Sequence, residues 1–433
     1  MLTRMVLVLA LGGAAAEAAQ VELGPRYIDP KNGFSLRPPA GAGRLREFPV
    51  LVRWNVRDPK TNAVAWTVAV RKEPAPKPGV NVQAFAKQLS AALDRRSDVK
   101  VRSVTPGRLL GKDAVYVQTE RGGRARRWQT EVWVLADAQR FLALSVNGPL
   151  AGKDRLNAAM RDISATLRLI DPATLAAARK ENLARGLELL GGVSLGKLQA
   201  AVAKEPRWYL CRRVGRDVGF LYVAERIVRR GSASGIEVRT VARLTLRGGQ
   251  VMVLRRTLFA PADRGSEKWT ESAHVYRARK VLRRMSEEGT SSGGRIVCTV
   301  SAGGKADKRT KQMPPPTAGH YLPRALAMLL PRLVDLGAAR AYAFAGYTTA
   351  ANDFDLRTFA VVGPETVTLG AQSHEAIRLT DQLAADAEPA TLHVQPGGKL
   401  LRMRTAGGLT MELSTHSAIR RRYTDADTLV RPR

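Results

Sequence analysis

Ile236-Glu237-Val238-Arg239-Thr240-Val241-Ala242-Arg243-Leu244-Thr245-Leu246 is a run in which apolar and polar residues largely alternate, the period-two pattern of a half-buried strand. Gly248-Gly249 ends it, and a second run begins at Val251 and continues to Phe259. Two such runs joined by a glycine turn read as an antiparallel pair. Runs of the same kind precede them at 208–214 and 220–228 and follow them at 268–284 and 295–300. A further series occupies 341–347, 357–362, 366–369, 376–379, 391–394, 399–405 and 409–414. So many strands with short turns predict one large, curved antiparallel sheet or half-barrel over residues 206–433.

Between the two series the pattern changes. Residues 301–319 read as a long polar loop ending in Pro314-Pro315-Pro316, with Lys305, Lys308, Arg309 and Lys311 in it. Residues 321–336 read as one helical segment, kinked at Pro331 because the ring removes a backbone hydrogen bond. Upstream, Asp171-Pro172 and Gly191-Gly192 bracket a helix, and Ser194 caps a shorter one, so 171–205 is expected to be a helical linker.

Residues 20–170 mix the two periods. Asn81 stands as an N-cap before Phe85, Leu89 and Leu93, which are spaced four apart on one helical face. Leu156, Met160, Ile163 and Leu167 mark a second amphipathic helix. Strand patterns lie between them at 99–104, 114–119, 128–135 and 141–146. This order of elements, with the opening Asp29-Pro30-Lys31-Asn32-Gly33-Phe34-Ser35-Leu36-Arg37-Pro38-Pro39, resembles the PsbP-like family over about residues 27–170. The resemblance implies an α/β/α sandwich and a non-enzymatic assembly or accessory role, with no catalytic residue to carry over. Val218-Gly219-Phe220 and Gly397-Gly398-Lys399-Leu400-Leu401-Arg402 make residues 205–420 similar to exported domains of unknown function that share the open-barrel shape of periplasmic lipoprotein carriers. The expected fold class is therefore α+β throughout.

Arg4, the apolar run from Met5 onward and the triplet Ala16-Glu17-Ala18 have the layout of a secretory signal over residues 1–19. Cleavage is expected after Ala18 or Ala19, giving an exported, periplasmic or secreted protein. The most apolar later stretch, 320–346, is broken by Pro323, Arg324, Pro331, Arg332, Asp335 and Arg340, so no membrane span is expected. The net charge of +32 divides into +14 for residues 1–170, +16 for 171–320 and +2 for 321–433. Such a field attracts anionic polymers, and Arg121, Arg124, Arg126 and Arg127 form its densest cluster, a candidate anion site. Arginines spread along many strands also serve solubility alone.

Cys211 and Cys298 lie in strand sequence, and in an oxidising compartment either a disulfide or two buried thiols fits them. No catalytic, cofactor-binding or metal site is assigned. Gly289-Thr290-Ser291-Ser292-Gly293 has the spacing of a nucleophile elbow but joins two strands, and Ser194-Leu195-Gly196-Lys197 lacks the companion motifs of an acylase. The five histidines show no metal-ligand spacing. His374-Glu375 reads as a surface pair, and Asp353 with Asp355 as a polar turn. Three functions stay open: a non-catalytic accessory protein of the cell envelope binding a partner protein or an apolar ligand, an electrostatic binder of anionic polymers, and an unrecognised hydrolase.

Overall fold

The structure is a computed structural model that describes residues 21–431 except 25, 30, 31, 48, 49, 124, 279, 385, 386 and 406. The expected signal segment and Arg124 lie outside the described residues. The chain forms two compact units, Met1–Pro172 and Ala173–Arg433.

In the first unit the strands are β1 (Tyr27–Asp29), β2 (Phe34–Leu36), β3 (Gly43–Glu47), β4 (Val50–Arg57), β5 (Val64–Pro74), β6 (Val99–Leu109), β7 (Lys112–Arg121), β8 (Arg127–Asp137), β9 (Arg140–Pro149) and β10 (Arg168–Leu169). The helices are α1 (Val82–Asp94) and α2 (Lys153–Thr166). Seven strands form an antiparallel sheet in the order β3-β4-β5-β9-β8-β7-β6, and β1-β2-β10 form a small second sheet. Alternation on β8 and β9 sends Val132, Val134, Leu142 and Leu144 to one face, under α2 and Phe34. It sends Trp133 and Phe141 to the other face, where Phe85 of α1 stacks on Phe141 at 4.5 Å. Asn81 caps α1 by accepting from the amides of Gln83 and Ala84 at 2.9 and 3.1 Å. Helix, sheet and helix thus make the expected sandwich.

The second unit opens with α3 (Pro172–Gly191) and α4 (Leu195–Ala201). Strands follow as β11 (Arg207–Arg213), β12 (Arg216–Arg230), β13 (Ala233–Thr245), β14 (Val251–Pro261), β15 (Ser266–Arg277), β16 (Lys280–Ser292), β17 (Arg295–Ala302) and β18 (Lys305–Gln312). Three short helices come next: α5 (Pro315–His320), α6 (Arg324–Ala327) and α7 (Leu330–Leu333). The chain ends in β19 (Arg340–Thr348), β20 (Asp353–Leu369), β21 (Gln372–Gln382), β22 (Ala390–Val394), β23 (Leu400–Arg404), β24 (Leu409–Ser414), α8 (His416–Arg422) and α9 (Ala426–Val430). All fourteen strands form one antiparallel sheet, β18 at one edge and β19 at the other, with β11 paired to β24 in the middle.

This sheet curls on itself without closing its hydrogen-bond ladder. Cys298 on β17 and Tyr347 on β19 stand twelve places apart in the strand order, yet Sγ and Oη are 3.4 Å apart. In a flat sheet, at about 4.8 Å per strand, they would be roughly 58 Å apart. Side chains clasp the seam: Arg309 of β18 donates to the Thr349 carbonyl at 2.5 Å, and Lys311 meets Asp353 at 2.9 Å.

Two expectations for the middle segment are corrected. The expected polar loop, 301–319, contains β18 and most of α5, and the expected kinked helix, 321–336, is two short helical turns, α6 and α7, separated at Met328–Leu329. Prolines 314, 323 and 331 each restart the chain, and the pieces turn Leu322, Leu326, Leu329 and Leu330 into the core. The inner face of the sheet is filled by this segment and by α4.

Candidate functional site

Buried carboxylates fasten this inner segment to the sheet. Glu225 occupies the inward register of β12 that Leu221, Val223 and Ile227 share. It accepts from Arg332 Nη1 and Nη2 of α7 at 2.7 and 2.6 Å, from Arg207 of β11, and from the Ala203 amide at 3.0 Å. Burial pushes its acidity toward the neutral form, but the Arg332 hydrogen bonds and the Arg207 charge outweigh this, and the group is held below the usual carboxylate range.

Glu267 on β15, 2% exposed, accepts from Tyr321 Oη and from the Arg324 amide, both at 2.5 Å. Both donors are neutral, so burial dominates and raises its pKa. The Arg324 guanidinium goes instead to Glu287 at 3.0 Å and lies over the Trp269 ring at 4.1 Å. Glu287 also accepts from Trp269 Nε1 at 2.6 Å and Thr349 Oγ1 at 2.7 Å. All these partners are saturated and enclosed, which marks them as supports of the fold.

One accessible feature is a groove of about 1430 Å³ on the second unit. Its walls are the link between α4 and β11, the end of β24, α8 and the turns of β20–β21 and β22–β23. Glu412 in its wall accepts from Arg212 at 2.5 Å and Arg402 at 2.8 Å. His416 stacks on Trp208 with ring centres 4.9 Å apart and meets Asp427 at 2.6 Å. The hydrogen bond from His416 holds the Asp427 carboxyl below its ordinary range, helped by Arg420. These carboxylates act as counter-ions, while Lys204 and Lys399 in the groove wall stand without a carboxylate among the described residues.

The residues singled out in the sequence do not meet. Cys211 and Cys298 are free thiols, buried at 1% exposure each, so the disulfide reading is corrected to the thiol reading. They sit on β11 and β17, with five strands between them, each packed into the core beside different neighbours. Burial pushes the Cys211 thiol up to about 12. In the arginine cluster, Arg126 and Arg102 both engage Glu120, and Arg127 donates to Asn147 Oδ1 at 2.7 Å.

Ser291 is a buried strand residue, and the Gly289 before it lets Trp269 lie against the backbone. Ser194 accepts from the Lys197 amide as the cap of α4. Asp353 meets Lys311 and caps Phe354, while Asp355 accepts from Thr348. His374 lies on β21 and lines the groove. A charge in an apolar register, as at Glu225, is the sequence signal that could have found the inner anchors.

No protein family and no curated protein matches this chain. Among solved structures, a β-barrel-like protein of domain of unknown function DUF1849 from Brucella abortus is similar over 48% of this chain and 95% of its own, at 14% identity and a TM-score of 0.34. Cyanobacterial PsbP (CyanoP) from Synechocystis sp. PCC 6803 is similar over 36% of this chain and 98% of its own, at 13% identity and a TM-score of 0.26.

Proposed function

We propose that the protein is an exported, non-catalytic accessory or binding protein of the bacterial cell envelope, and that the groove beside β11 and β24 receives an extended segment of a partner protein. The observation that carries this reading is the groove itself. At about 1430 Å³ it exceeds the range of about 300–1,000 Å³ usual for small-molecule sites, and it is broad and open. Its arginines and carboxylates are already locked in pairs, which suits a pre-formed lattice of hydrogen-bonding groups better than proton transfer. The inner face of the sheet is packed by apolar side chains of α4, α6 and α7, which argues against an apolar ligand there. The first unit, with its PsbP-like order of elements, is an accessory domain in this proposal.

A photo-reactive side chain at Lys399 in the native host tests the groove. One discrete partner should be joined there and none from the same group at Lys87 on α1. Protein recovered from outside the cytoplasm should begin at Ala19 or Gln20. Turnover of a peptide, ester or glycan substrate that disappears in His416→Ala would overturn the non-catalytic reading.

A further inference from the structure

The register pairs Arg283–Val275, Val275–Met252, Met252–Leu244, Leu244–Gly219, Gly219–Cys211, Cys211–Met411, Met411–Met403, Met403–Leu392 and Leu392–Leu379 draw one line across ten strands of the large sheet. The turns at 214–215, 247–249 and 278, and the chain at 383–384, 387–389, 405 and 407–408, all lie on the same side of that line, so they form one rim. Arg213, Arg216, Arg277, Lys280, Arg284 and Arg404 stand on it, all exposed and none with an ion-pair partner among the described residues.

Three large apolar side chains share this rim: Val214 at 93% exposure, Leu383 at 60% and Leu282 at 51%. Val214 is the most unusual. It holds the left-handed conformation, φ 49°, that a β-branched residue adopts only under strain and that Gly215 beside it adopts freely. A turn chosen for stability alone would carry glycine or asparagine here. The side chain is therefore presented to solvent against both its hydrophobicity and its backbone preference.

We infer that this rim docks on an anionic phospholipid bilayer, the unpaired arginines and lysines meeting headgroup charge and Val214, Leu282 and Leu383 entering the interface. A soluble polyanion needs the charges but gives the three apolar tips nothing to enter. A second copy of the chain would set two basic rims against each other. The inference is separate from the groove, so each can fail alone.

Flotation of the full chain with vesicles decides it. Binding should be strong to phosphatidylcholine vesicles containing phosphatidylglycerol, absent with phosphatidylcholine alone, and weakened by salt. Val214→Gly should lower binding about tenfold, the worth of withdrawing one buried valine side chain, while its melting temperature stays level or rises because the strain is gone. The paired change Arg213→Ser and Arg216→Ser should lower it by about thirtyfold at low salt, at about 1 kcal/mol per charge. Both variants should keep the cross-link at Lys399. Absence of vesicle binding, equal binding to both vesicle types, or anionic binding that Val214→Gly leaves unchanged and that DNA displaces, would overturn the inference.

Discussion

Glu225 and Glu267 do the same job at the two ends of the inner segment, and they do it under opposite electrostatics. Glu225 faces two arginines whose side chains are only 12% and 10% exposed. Glu267 faces a tyrosine hydroxyl and a backbone amide. The first is a buried ion cluster that requires the charge; the second is a buried carboxyl that the charge destabilises. A carboxylate inside a sheet is thus not one kind of support, and its pH response follows from its donors.

The largest effect is expected at the charged end. Glu225→Gln leaves Arg207 and Arg332 uncompensated in the interior, which costs about 3–5 kcal/mol for a buried pair broken from one side. Denaturant titration of the full chain measures it. A loss below about 1 kcal/mol, the level of exposed pairs, would show that water screens this cluster and would dissolve the contrast.

The next expectation is steric. Each end rests against a glycine: a Cβ on Gly398 would lie 2.3 Å from the Pro331 carbonyl oxygen, and one on Gly289 would lie 2.0 Å from the Trp269 ring. Gly398 also has φ 77°, while Trp269 is pinned through its hydrogen bond to Glu287. Gly398→Ala and Gly289→Ala should each lose about 1–3 kcal/mol by overpacking. Thermal melts of the two variants check this. Tolerance at Gly289 with loss at Gly398 would place the rigid anchor at the Glu225 end alone.

What the sequence disclosed follows from how local each signal is. Alternation locates β11 to β15, β17 and most of β19 to β24, but it runs β15 and the start of β16 together at 268–284, where the chain in fact turns at 278; the caps at Asn81 and Ser194 need only the next three residues. Strand β18 was hidden because Lys305–Gln312 has no apolar face to alternate, the usual guise of an edge strand that avoids pairing with strangers. The inner segment reads as one helix because its leucines fit helical spacing, while Pro323 and Pro331 divide it into two by restarting the backbone hydrogen bonding. The curl of the sheet depends on seam contacts such as Arg309 to Thr349, 40 residues apart, and the join of its two halves on ones such as Arg212 to Glu412, 200 residues apart, which no window along the chain contains. Of the groove, the sequence singles out His374, as part of a surface pair, and Lys399 with Leu401, in a glycine-led hairpin motif. Its walls come together through the pairing of β11 with β24.

The smallest effect, and the one that sharpens the comparison most, belongs to Glu267. Its folded pKa is raised, so the stability it contributes is fully present below the unfolded carboxylate value, about 4.3, and is lost as pH rises through the folded value. Glu225 is depressed, so its contribution is present above the unfolded value and lost as pH falls through the folded one. In Glu267→Gln the one remaining oxygen can accept from the Arg324 amide while the new NH2 group donates to Tyr321 Oη, and the change removes the titration. At neutral pH the variant should be as stable as the parent or more stable by up to about 1 kcal/mol, since neutral hydrogen-bonded groups bury more cheaply than charges. Below pH 4 the advantage should vanish, because the parent carboxyl is then neutral as well. Chemical denaturation of both proteins across pH 3 to 8 measures this difference. A variant that is less stable than the parent at neutral pH, with the gap closing in acid, would mean that Glu267 is ionised in place and that the two ends are alike after all.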